Sequence, residues 1–580
     1  MDAMVVSESS LARAKSLFAT DLKAWHLYFI FLSVILLASV GVRAFAWHHW
    51  HTGAIESEGA EYARIAQNLR EGRGYVGIST PGTQLVFAPL FPSLIAAASL
   101  VTHNDYELAG RLVSFVLGAL LPLPVFGVAI RIFRWRTAVI AAILTVLYPL
   151  FVNLSITVFS EGPYATVLLT GVYLVLRAFD RPSIINWSLV GGAFGAAYLI
   201  RQEAVGPLFV AVLLGLIAQD AALAVKIKRA VAALAVFMVL ASPQVLLLYR
   251  STGKLRLEGK STINYAWNIL ALAERQGSGA NESSLLEAYY DTANSINDSL
   301  EGTGVGMRPN ADVIRETHVR VKDLVRYFGE AVHRNTFELF STLRERWLGA
   351  PFLPALALLG AVCRPWRRPM ALSRLFVMLV PATAVVASFS ILWIFPRYYF
   401  VLVPFLLIWA ANGLVEIGLW TNRNLAVAFR WTGAWVPGAV VAGLIMIAML
   451  GYALKDTRNL SAFREGSAES QGAKDAGVWI LQQQTRRVRV MDVLDTVAFH
   501  ANADYVHFPS CNAELALGYI EKEKVDYLIM RRGVEQPRYY KDWFTSGIPD
   551  GRAQLVYETA EDDPNGLLVF RWNQLTTNRP

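Results

Sequence analysis

Residues 25–47 read WHLYFIFLSVILLASVGVRAFAW, an apolar run in which Arg43 is the single Lys, Arg, Asp or Glu. The hydrocarbon core of a bilayer is about 30 Å thick, and a helix needs roughly 20 apolar residues to cross it. Because lipid offers the backbone no hydrogen-bond partners, such a segment must be helical there. The run is too long for the core of a signal peptide, and no small-residue cleavage pattern follows it. We therefore interpret it as a retained membrane span.

Runs of the same kind recur along the chain, and we count about eleven of them. They lie at 25–47, 108–131, 137–155, 162–179, 186–200, 203–219, 230–249, 349–363, 373–394, 398–418 and 434–454. Several are short, and only Arg201 and Gln202 separate the fifth from the sixth, so that either could belong to one kinked or re-entrant unit. The sequence predicts a polytopic α-helical membrane protein.

The composition agrees with this fold class and excludes others. Hydrophobic residues make up 54% of the 580 residues, charged residues 17%, and the mean hydropathy is +0.39. A soluble globular protein has about 25% charged residues, and a disordered chain has few apolar ones. The two cysteines, Cys363 and Cys511, lie in unrelated surroundings, which excludes a disulfide framework and a cysteine metal site.

The short loops between the runs predict the orientation. Loops 131–137, 177–185, 220–230, 364–374 and 421–430 contain fourteen Lys and Arg against two acids, Asp180 and Asp220. An excess of Lys and Arg marks the cytoplasmic side. The net charge of +8 is therefore a topology signal, since the rest of the chain is slightly acidic. We expect a multi-pass protein of the plasma (inner) membrane, with a cytoplasmic N-terminus and an extracytoplasmic C-terminus.

Three polar regions remain for the outer face: a first loop at 48–106, a large loop at 250–348, and the tail. We predict a transmembrane catalytic domain at 1–455 and an extracytoplasmic α/β domain at 456–580. The tail is long enough for a small domain. It alternates a helical pattern with short β-rich runs, the latter at 487–491, 525–530 and 566–570.

The first loop predicts a juxtamembrane helix with an acid at its start. Ser57 is a plausible N-cap, Glu58 would lie in the first turn, and Gly72 is a plausible stop signal. Glu58 and Tyr62 share a face with two apolar residues that can dock on the spans. This face would hold Glu58 at the mouth of the membrane domain. The alternative is that Glu58 only caps and solvates the helix.

Glu161 lies in an outer hinge between two spans, in the segment NLSITVFSEGPY at 153–164. A carboxylate between apolar helices is costly unless it faces a cavity or a partner, which makes Glu161 a candidate site residue. Its alternative role is to cap the next helix, with Pro163 near the helix start.

Arg201 and Arg397 each stand at the outer end of an apolar run. Arginine binds phosphate through two parallel hydrogen bonds and keeps its charge when it is partly buried. Arginines that anchor a span at the membrane surface look the same in sequence. Two of them on the side that also carries Glu58 and Glu161 favour a binding site.

These residues resemble C-type (GT-C) integral-membrane glycosyltransferases, in the subgroup of protein O-mannosyltransferase-like and lipid A aminoarabinose transferase-like enzymes. The resemblance covers roughly residues 25–455. Its motifs are Glu58 to Tyr75, Phe87 to Pro92, Ser160-Glu161, Gly195 to Glu203, and Arg397-Tyr398 with Pro404 and Gly413. The motifs are short, but their order and their placement on one face are specific.

The resemblance implies a polyprenyl-phosphate-linked sugar donor, an acceptor on the outer face, and inversion at the anomeric carbon. In the family, the acid four residues before the loop tyrosine is usually Asp and is often followed by another acid. Here Glu58 and Gly59 hold these positions, so Glu56 and Glu61 stay open as alternative bases. The chain also lacks the Glu-Lys-Pro of the aminoarabinose transferases, so we transfer neither their substrate nor a metal site. A divalent cation stays open.

A mechanism follows as a hypothesis. Glu58 is the base that deprotonates an acceptor hydroxyl, and Glu161 is a second carboxylate that orients the acceptor or the sugar. Arg201 and Arg397 bind the departing phosphate. The supporting residues are Tyr62, Glu61, Glu203 and Tyr398. The acceptor could be a lipid, a glycan or a protein.

Two other functions compete with this hypothesis. A lipid or solute transporter with an extracytoplasmic domain would show internal repeats and polar residues near the bilayer midplane. Here the polar candidates gather at one surface. A scaffold whose tail binds envelope proteins, with an idle membrane domain, is the second alternative. The composition predicts no nucleic-acid partner.

Overall fold

The structure is a computed structural model that describes residues 8–49, 54–218, 221–260, 262–263, 310–316, 321–344, 351–363, 368–388, 396–429, 436–457, 471–509, 511–534, 538–559 and 566–573. Helices dominate the described residues up to 457. Their bounds are α1 Glu8–His49, α2 Ser57–Arg70, α3 Leu90–Ala98, α4 Tyr106–Leu120, α5 Pro122–Ile132, α6 Trp135–Leu147, α7 Pro149–Leu154, α8 Glu161–Asp180, α9 Ile184–Tyr198, α10 Val205–Ala218, α11 Leu223–Thr252, α12 Asn310–Glu316, α13 Val321–Thr342, α14 Phe352–Val362, α15 Arg368–Ser388, α16 Leu402–Phe429 and α17 Val436–Thr457.

Within the described residues, each of the apolar runs lies mainly in helix, which confirms the predicted fold class. Among the described residues, six helical stretches are long and apolar enough to cross a membrane, one of them formed by α4 and α5 together over Tyr106–Ile132, and four shorter apolar helices accompany them. Proline interrupts two of the predicted runs. Pro122 separates α4 from α5, and Pro149 separates α6 from α7. Proline lacks the amide hydrogen that a continuous helix needs, so a helix often restarts at such a residue.

The fifth and sixth runs form two helices, not one. Arg201 has an extended backbone (φ −148°, ψ 130°), and a short 3-10 turn over Gln202–Ala204 leads into α10. Of the large loop at 250–348, the structure describes α12, α13 and the first residues after α11. Most of the remaining loop, including 264–309, lies outside the described residues.

Close helix contacts in the bundle depend on glycine. A Cβ at Gly360 of α14 would lie 1.9 Å from the carbonyl oxygen of Trp409 in α16, which forbids any other residue there. Small residues let helix backbones approach closely where lipid supplies no hydrophobic drive between helices. The core that results is continuous through α4 to α10 and α14 to α17.

The tail folds as an α/β unit, as the sequence predicted. Its elements are α18 Gln471–Gln483, β1 Arg489–Asp492, α19 Thr496–His500, β2 Asp504–His507, α20 Ala513–Lys522, β3 Tyr527–Arg531, α21 Arg538–Ser546, β4 Ala553–Glu558 and β5 Leu567–Trp572. The sheet order is β2-β1-β3-β5-β4. β1 pairs in parallel with β2 and β3, and β5 is antiparallel to both β3 and β4. A buried ion pair joins Asp492 and Arg531 at the carboxyl ends of β1 and β3, with an N–O distance of 2.7 Å.

The α/β unit contacts both α2 and α4. Lys474 of α18 forms a 3.0 Å ion pair with Glu107 of α4, and Glu107 also pairs with Arg111. On α2, the side chain of Gln67 donates a hydrogen bond of 3.2 Å to Asn502. The first loop is therefore held between the membrane helices and the tail.

Candidate functional site

Helix α2 carries the first candidate residues. The helix begins at Ser57, and Glu56 occupies the N-cap position with an extended backbone and no side-chain cap bond, so the predicted N-cap at Ser57 is wrong by one residue. The carbonyl of Glu56 already accepts the first helical hydrogen bond, from the Ala60 amide at 2.7 Å, which makes Glu56 the residue that precedes the helix. Gly72 follows the helix with φ +73°, a left-handed conformation that favours glycine, as predicted for the stop.

Gly59 explains why the residue after Glu58 is not a second acid. A Cβ at this position would lie 3.0 Å from the carbonyl oxygen of Val158 and 2.9 Å from Ile55. The helix and the segment that precedes α8 approach so closely only because this side chain is missing. That contact brings Glu58 and Tyr62 next to Ser160.

A chain of polar contacts connects α2 to Arg201. The Tyr62 hydroxyl lies 3.1 Å from Oε1 of Glu58 and 3.0 Å from Oγ of Ser160. Arg201 donates a hydrogen bond of 3.2 Å from Nη1 to the same Oγ. Each hydroxyl has one proton, so Arg201 can donate to Ser160, Ser160 to Tyr62, and Tyr62 to Glu58. This series of hydrogen bonds ends at the half-buried carboxylate of Glu58.

Burial and the negative charge of Glu58 raise the pKa of Tyr62 well above its ordinary value of 10. The hydroxyl therefore keeps its proton at neutral pH and can donate it in a hydrogen bond to Glu58. Two aromatic rings hold Tyr62 in place, since Phe87 and Phe91 each lie 4.9 Å from its ring centre in edge-on contact. The tyrosine side chain is thus a fixed donor that orients Glu58.

Arg201 is the centre of a buried ion-pair group. Its Nη1 lies 3.0 Å from Glu161, which is 1% exposed, and its Nη2 lies 3.2 Å from Glu203, whose side chain is 38% exposed. The guanidinium itself is 8% exposed and lies over the ring of Phe400 at 5.6 Å. Glu161 is also the first residue of α8, where the helix dipole favours a negative charge. Lys260 acts electrostatically on Glu203 from the segment after α11.

The structure thus brings Glu58, Tyr62, Glu161, Arg201 and Glu203 together. Glu161 is buried and accepts a hydrogen bond from Nη1 of Arg201, which holds the arginine in place. Sequence reasoning gave no separate role to Ser160, which links the two halves, or to Phe400. Ser160 directly precedes Glu161 in the segment already singled out, and that adjacency was the available signal.

Glu61 has a different position. Its Oε2 accepts hydrogen bonds from the backbone amides of Ile78 and Ser79, at 2.8 and 2.9 Å, and from the Ser79 hydroxyl. Its Oε1 accepts one from the Gln84 amide group. These contacts shape the segment at 76–84, so Glu61 supports the first loop. Glu56, the other alternative base, precedes α2 at its N-cap.

Arg397 and Tyr398 lie in a 3-10 turn over Pro396–Val401. Their side chains are outside the part of the chain that the structure describes. The turn also contains Phe400, the ring against Arg201, and Tyr399, whose hydroxyl donates a hydrogen bond of 2.9 Å to the carbonyl of Asn335 in α13. The backbone of Arg397 is therefore next to the Arg201 group.

Over the residues that the structure describes, no group of three or more His, Cys, Asp or Glu side chains is arranged to hold a metal ion. The site consists of carboxylates, a guanidinium and hydroxyls. This set can accept a proton at Glu58, and its arginine is paired with both Glu161 and Glu203.

One buried acid of the tail faces α2. Asp495, which precedes α19, is 2% exposed, and burial raises its pKa to about 8, with the negative charges of Glu61 and Asp492 adding to the rise. The folded protein therefore keeps Asp495 protonated at pH values where the unfolded chain, near 3.8, has already lost the proton. The contribution of Asp495 to the free energy of unfolding therefore falls as the pH rises from about 4 to about 8.

We expect Asp495→Asn to remove this pH dependence, because the amide is neutral in both states. The thermal unfolding midpoint of the purified full-length variant should exceed that of the wild type by a margin that grows from pH 5 to pH 8. Asp475→Asn, at an exposed position of α18, is the matched control. A margin that stays constant over this range would contradict the prediction.

Comparisons with known proteins agree with the fold. Residues 87–247 match the family model of dolichyl-phosphate-mannose-protein mannosyltransferase. The archaeal oligosaccharyltransferase AglB from Archaeoglobus fulgidus, in complex with an inhibitory peptide and a dolichol-phosphate, is similar in structure with a TM-score of 0.55 and 16% identity, over 87% of this chain and 69% of that one. ArnT from Cupriavidus metallidurans, bound to undecaprenyl phosphate, is similar with a TM-score of 0.53 and 14% identity, over 94% of this chain and 98% of that one. Comparison with curated protein sequences found no match.

Proposed function

We propose that this chain, which has the fold of the C-type integral-membrane glycosyltransferases, transfers a sugar from a polyprenyl-phosphate donor to an acceptor hydroxyl. The observation that carries the proposal is the polar chain from Arg201 through Ser160 and Tyr62 to Glu58. It joins an anion-binding cation to a carboxylate base at one end of the helix bundle. Two of the similar solved structures, those of AglB and ArnT named above, contain dolichol-phosphate and undecaprenyl phosphate, which supports the same kind of donor here.

In the proposed reaction, an acceptor hydroxyl gives its proton to a carboxylate oxygen of Glu58 while its oxygen forms a bond to the anomeric carbon. The bond from that carbon to the phosphate oxygen breaks, and its electron pair leaves with the lipid phosphate. Because attack and departure occur on opposite faces of the sugar, the configuration is inverted. Tyr62 orients Glu58 through its hydrogen bond and does not itself exchange a proton.

Arg201 and Arg397 supply positive charge where the phosphate charge develops. Arg201 is already paired with Glu161 and Glu203, so it can reach a phosphate only when one of these partners yields. Glu203 is the more exposed of the two and has Lys260 nearby. We therefore assign the phosphate to the Nη2 side of Arg201, while Glu161 keeps Nη1 in position.

The proposed orientation follows the positive loops: the N-terminus is cytoplasmic and the site faces outward. The lipid tail of the donor would lie in a groove between spans. This arrangement would place the chemistry at the membrane surface, within reach of a lipid, glycan or protein acceptor. The sugar stays unassigned between hexose and pentose.

The function is tested with purified full-length protein, a panel of polyprenyl-phosphate sugars labelled in the sugar, and envelope extract as the source of acceptors. We expect released lipid phosphate together with labelled acceptor. In sealed vesicles, movement of label across the membrane without release of lipid phosphate would support the transporter instead. If neither occurs with any donor in the panel, the catalytic proposal fails.

Arg397→Met should weaken binding of a labelled polyprenyl phosphate by about tenfold or more, because a charge-assisted hydrogen bond to the phosphate is lost. Displacement of the labelled lipid from the purified variant measures the effect. Arg250→Met is the matched control, since Arg250 is an exposed arginine in the last turn of α11. Equal affinity in both variants and the wild type would make Arg397 a membrane anchor.

A further inference from the structure

A cavity of about 440 Å³ lies between the first loop and the tail. One wall is the segment 76–81, and the opposite wall is residues 503–507, which contain β2. Within the described sheet, β2 pairs only with β1, so its other edge is open to this space. Cavities of this size hold small molecules or the headgroup of a larger one. The polar lining includes Arg64, Thr80, Arg487, Asp504, Tyr505 and His507.

Arg64 is the unusual residue of this lining. Its side chain is 1% exposed, and its terminal nitrogens donate long hydrogen bonds to the carbonyls of Ala503 and Ala498, at 3.3 and 3.2 Å. Its Nε has no hydrogen-bond partner, and within the described ranges no carboxylate forms an ion pair with it. A buried charge normally has such a partner, because removal from water is otherwise costly.

The other charges of the cavity are already balanced. Arg487 lies 2.7 Å from Asp504, and Glu523 lies 3.2 Å from Arg489. The pKa of Arg64 is lowered to about 10, first by burial and then by the positive charges of Arg487 and Arg73, whereas the negative charges of Asp504 and Glu61 oppose this fall. The formal charges of the lining sum to zero, with Arg64 and Arg487 against Asp504 and Glu523, and Arg64 is the one of these four for which the described residues show no ion pair.

We propose that this cavity binds an oxyanion, a phosphate or carboxylate group, carried by the acceptor, with Arg64 as its counter-ion. The role of acceptor site rests on the proposed function, whereas anion binding does not. Arg64 and Glu58 are six residues apart on α2, which is about 9 Å along the helix axis. Glu61, on the same helix, holds the loop wall of the cavity. Six residues also turn the helix by about 240° net, so Arg64 and Glu58 lie on different faces of α2, and an acceptor that joins the two must span the width of the helix as well as this rise.

The competing explanation is structural. The Ala498 and Ala503 carbonyls lie at the end of α19, and a cation at a helix C-terminus stabilises the last turn. On this view Arg64 only joins α2 to the tail. The two explanations differ in whether the cavity takes up an anion that depends on Arg64.

The first test measures binding of inorganic phosphate to the full-length protein in detergent by ³¹P line broadening, with unlabelled polyprenyl phosphate present to fill the donor site. ¹³C-labelled acetate serves as the carboxylate probe. We expect saturable binding that weakens about tenfold or more in Arg64→Met, because charge-assisted hydrogen bonds are lost. Arg70→Met, an exposed arginine of the same helix, should bind like the wild type.

Arg487→Met is a second test, because Arg487 also lines the cavity. We expect this variant to bind the two anions several-fold more weakly than the wild type, and the measurement remains possible even if Arg64→Met does not fold. Equal binding by all folded variants, or no saturable binding of either probe by the wild type, would overturn the inference.

The acceptor role has its own readout. Arg64→Met should lower transfer of labelled sugar to envelope acceptors about tenfold while donor binding stays unchanged. Anion binding that is lost in Arg64→Met while transfer is retained would overturn the acceptor role. Failure of all transfer in the wild type would overturn the proposed function and leave the phosphate result standing.

Discussion

Glu58→Gln is expected to lower sugar transfer by about 10²- to 10⁴-fold, the range that a positioned general base contributes. Glutamine has the same shape and can still accept the hydrogen bond from Tyr62, but it cannot take up a proton. The fold and donor binding should therefore be preserved. Transfer is measured with labelled donor and envelope acceptors, and donor binding by displacement of labelled polyprenyl phosphate.

Glu56→Gln is the matched control, because Glu56 lies at the N-cap of the same helix and is the remaining alternative base. We expect its transfer rate to stay within a few-fold of the wild type. Near-normal transfer by Glu58→Gln would remove Glu58 from the mechanism, and a large loss in Glu56→Gln alone would assign the base to Glu56.

Arg201→Met is expected to destabilise the protein by about 3–5 kcal/mol, the usual cost of removing one partner of a buried ion pair. The loss leaves Glu161, at 1% exposure, without its arginine, and it removes a donor to Ser160. The thermal unfolding midpoint of the purified variant measures the effect. Transfer should fall as well, because the proposed phosphate contact is lost.

A double variant separates stability from chemistry. Arg201→Met combined with Glu161→Gln removes both charges of the pair, and replacing a whole buried ion pair with neutral groups is often close to neutral for stability. We expect the double variant to regain most of the unfolding midpoint and none of the transfer activity. Recovery of transfer along with stability would show that Arg201 is only a structural partner of Glu161.

The membrane helices were predictable because hydropathy is a local property. A run such as 25–47 must be helical in lipid whatever surrounds it, and the described part of each predicted run lies mainly in helix. The helix breaks at Pro122 and Pro149 were not predicted, because hydropathy counts proline only as an apolar residue and ignores its missing amide hydrogen. Three of the five strands of the tail, β1, β3 and β5, followed from β-rich patterns of the same local kind, whereas β2 and β4 were not predicted.

The sequence predicted which residues belong to the candidate site but not which partners each of them contacts. Glu58, Glu161 and Arg201 were all singled out, yet their arrangement depends on contacts between residues about 40 to 100 positions apart. Glu58 and Glu61 show that the position of a residue on a helix does not by itself predict its partner. Three residues apart on one helix, they have different partners: one reaches Tyr62 and the other holds the loop at 78–84.

The sequence by itself determined the fold class, the apolar helices and the candidate charged residues, because each of these depends on local composition and spacing. Only the tertiary structure decided that Glu161 holds Arg201, that Ser160 links the arginine to Tyr62, and that Arg64 is buried against the tail. The physical reason is that a charged side chain in a protein takes its role from the partner that compensates its burial, and that partner comes from a distant part of the chain.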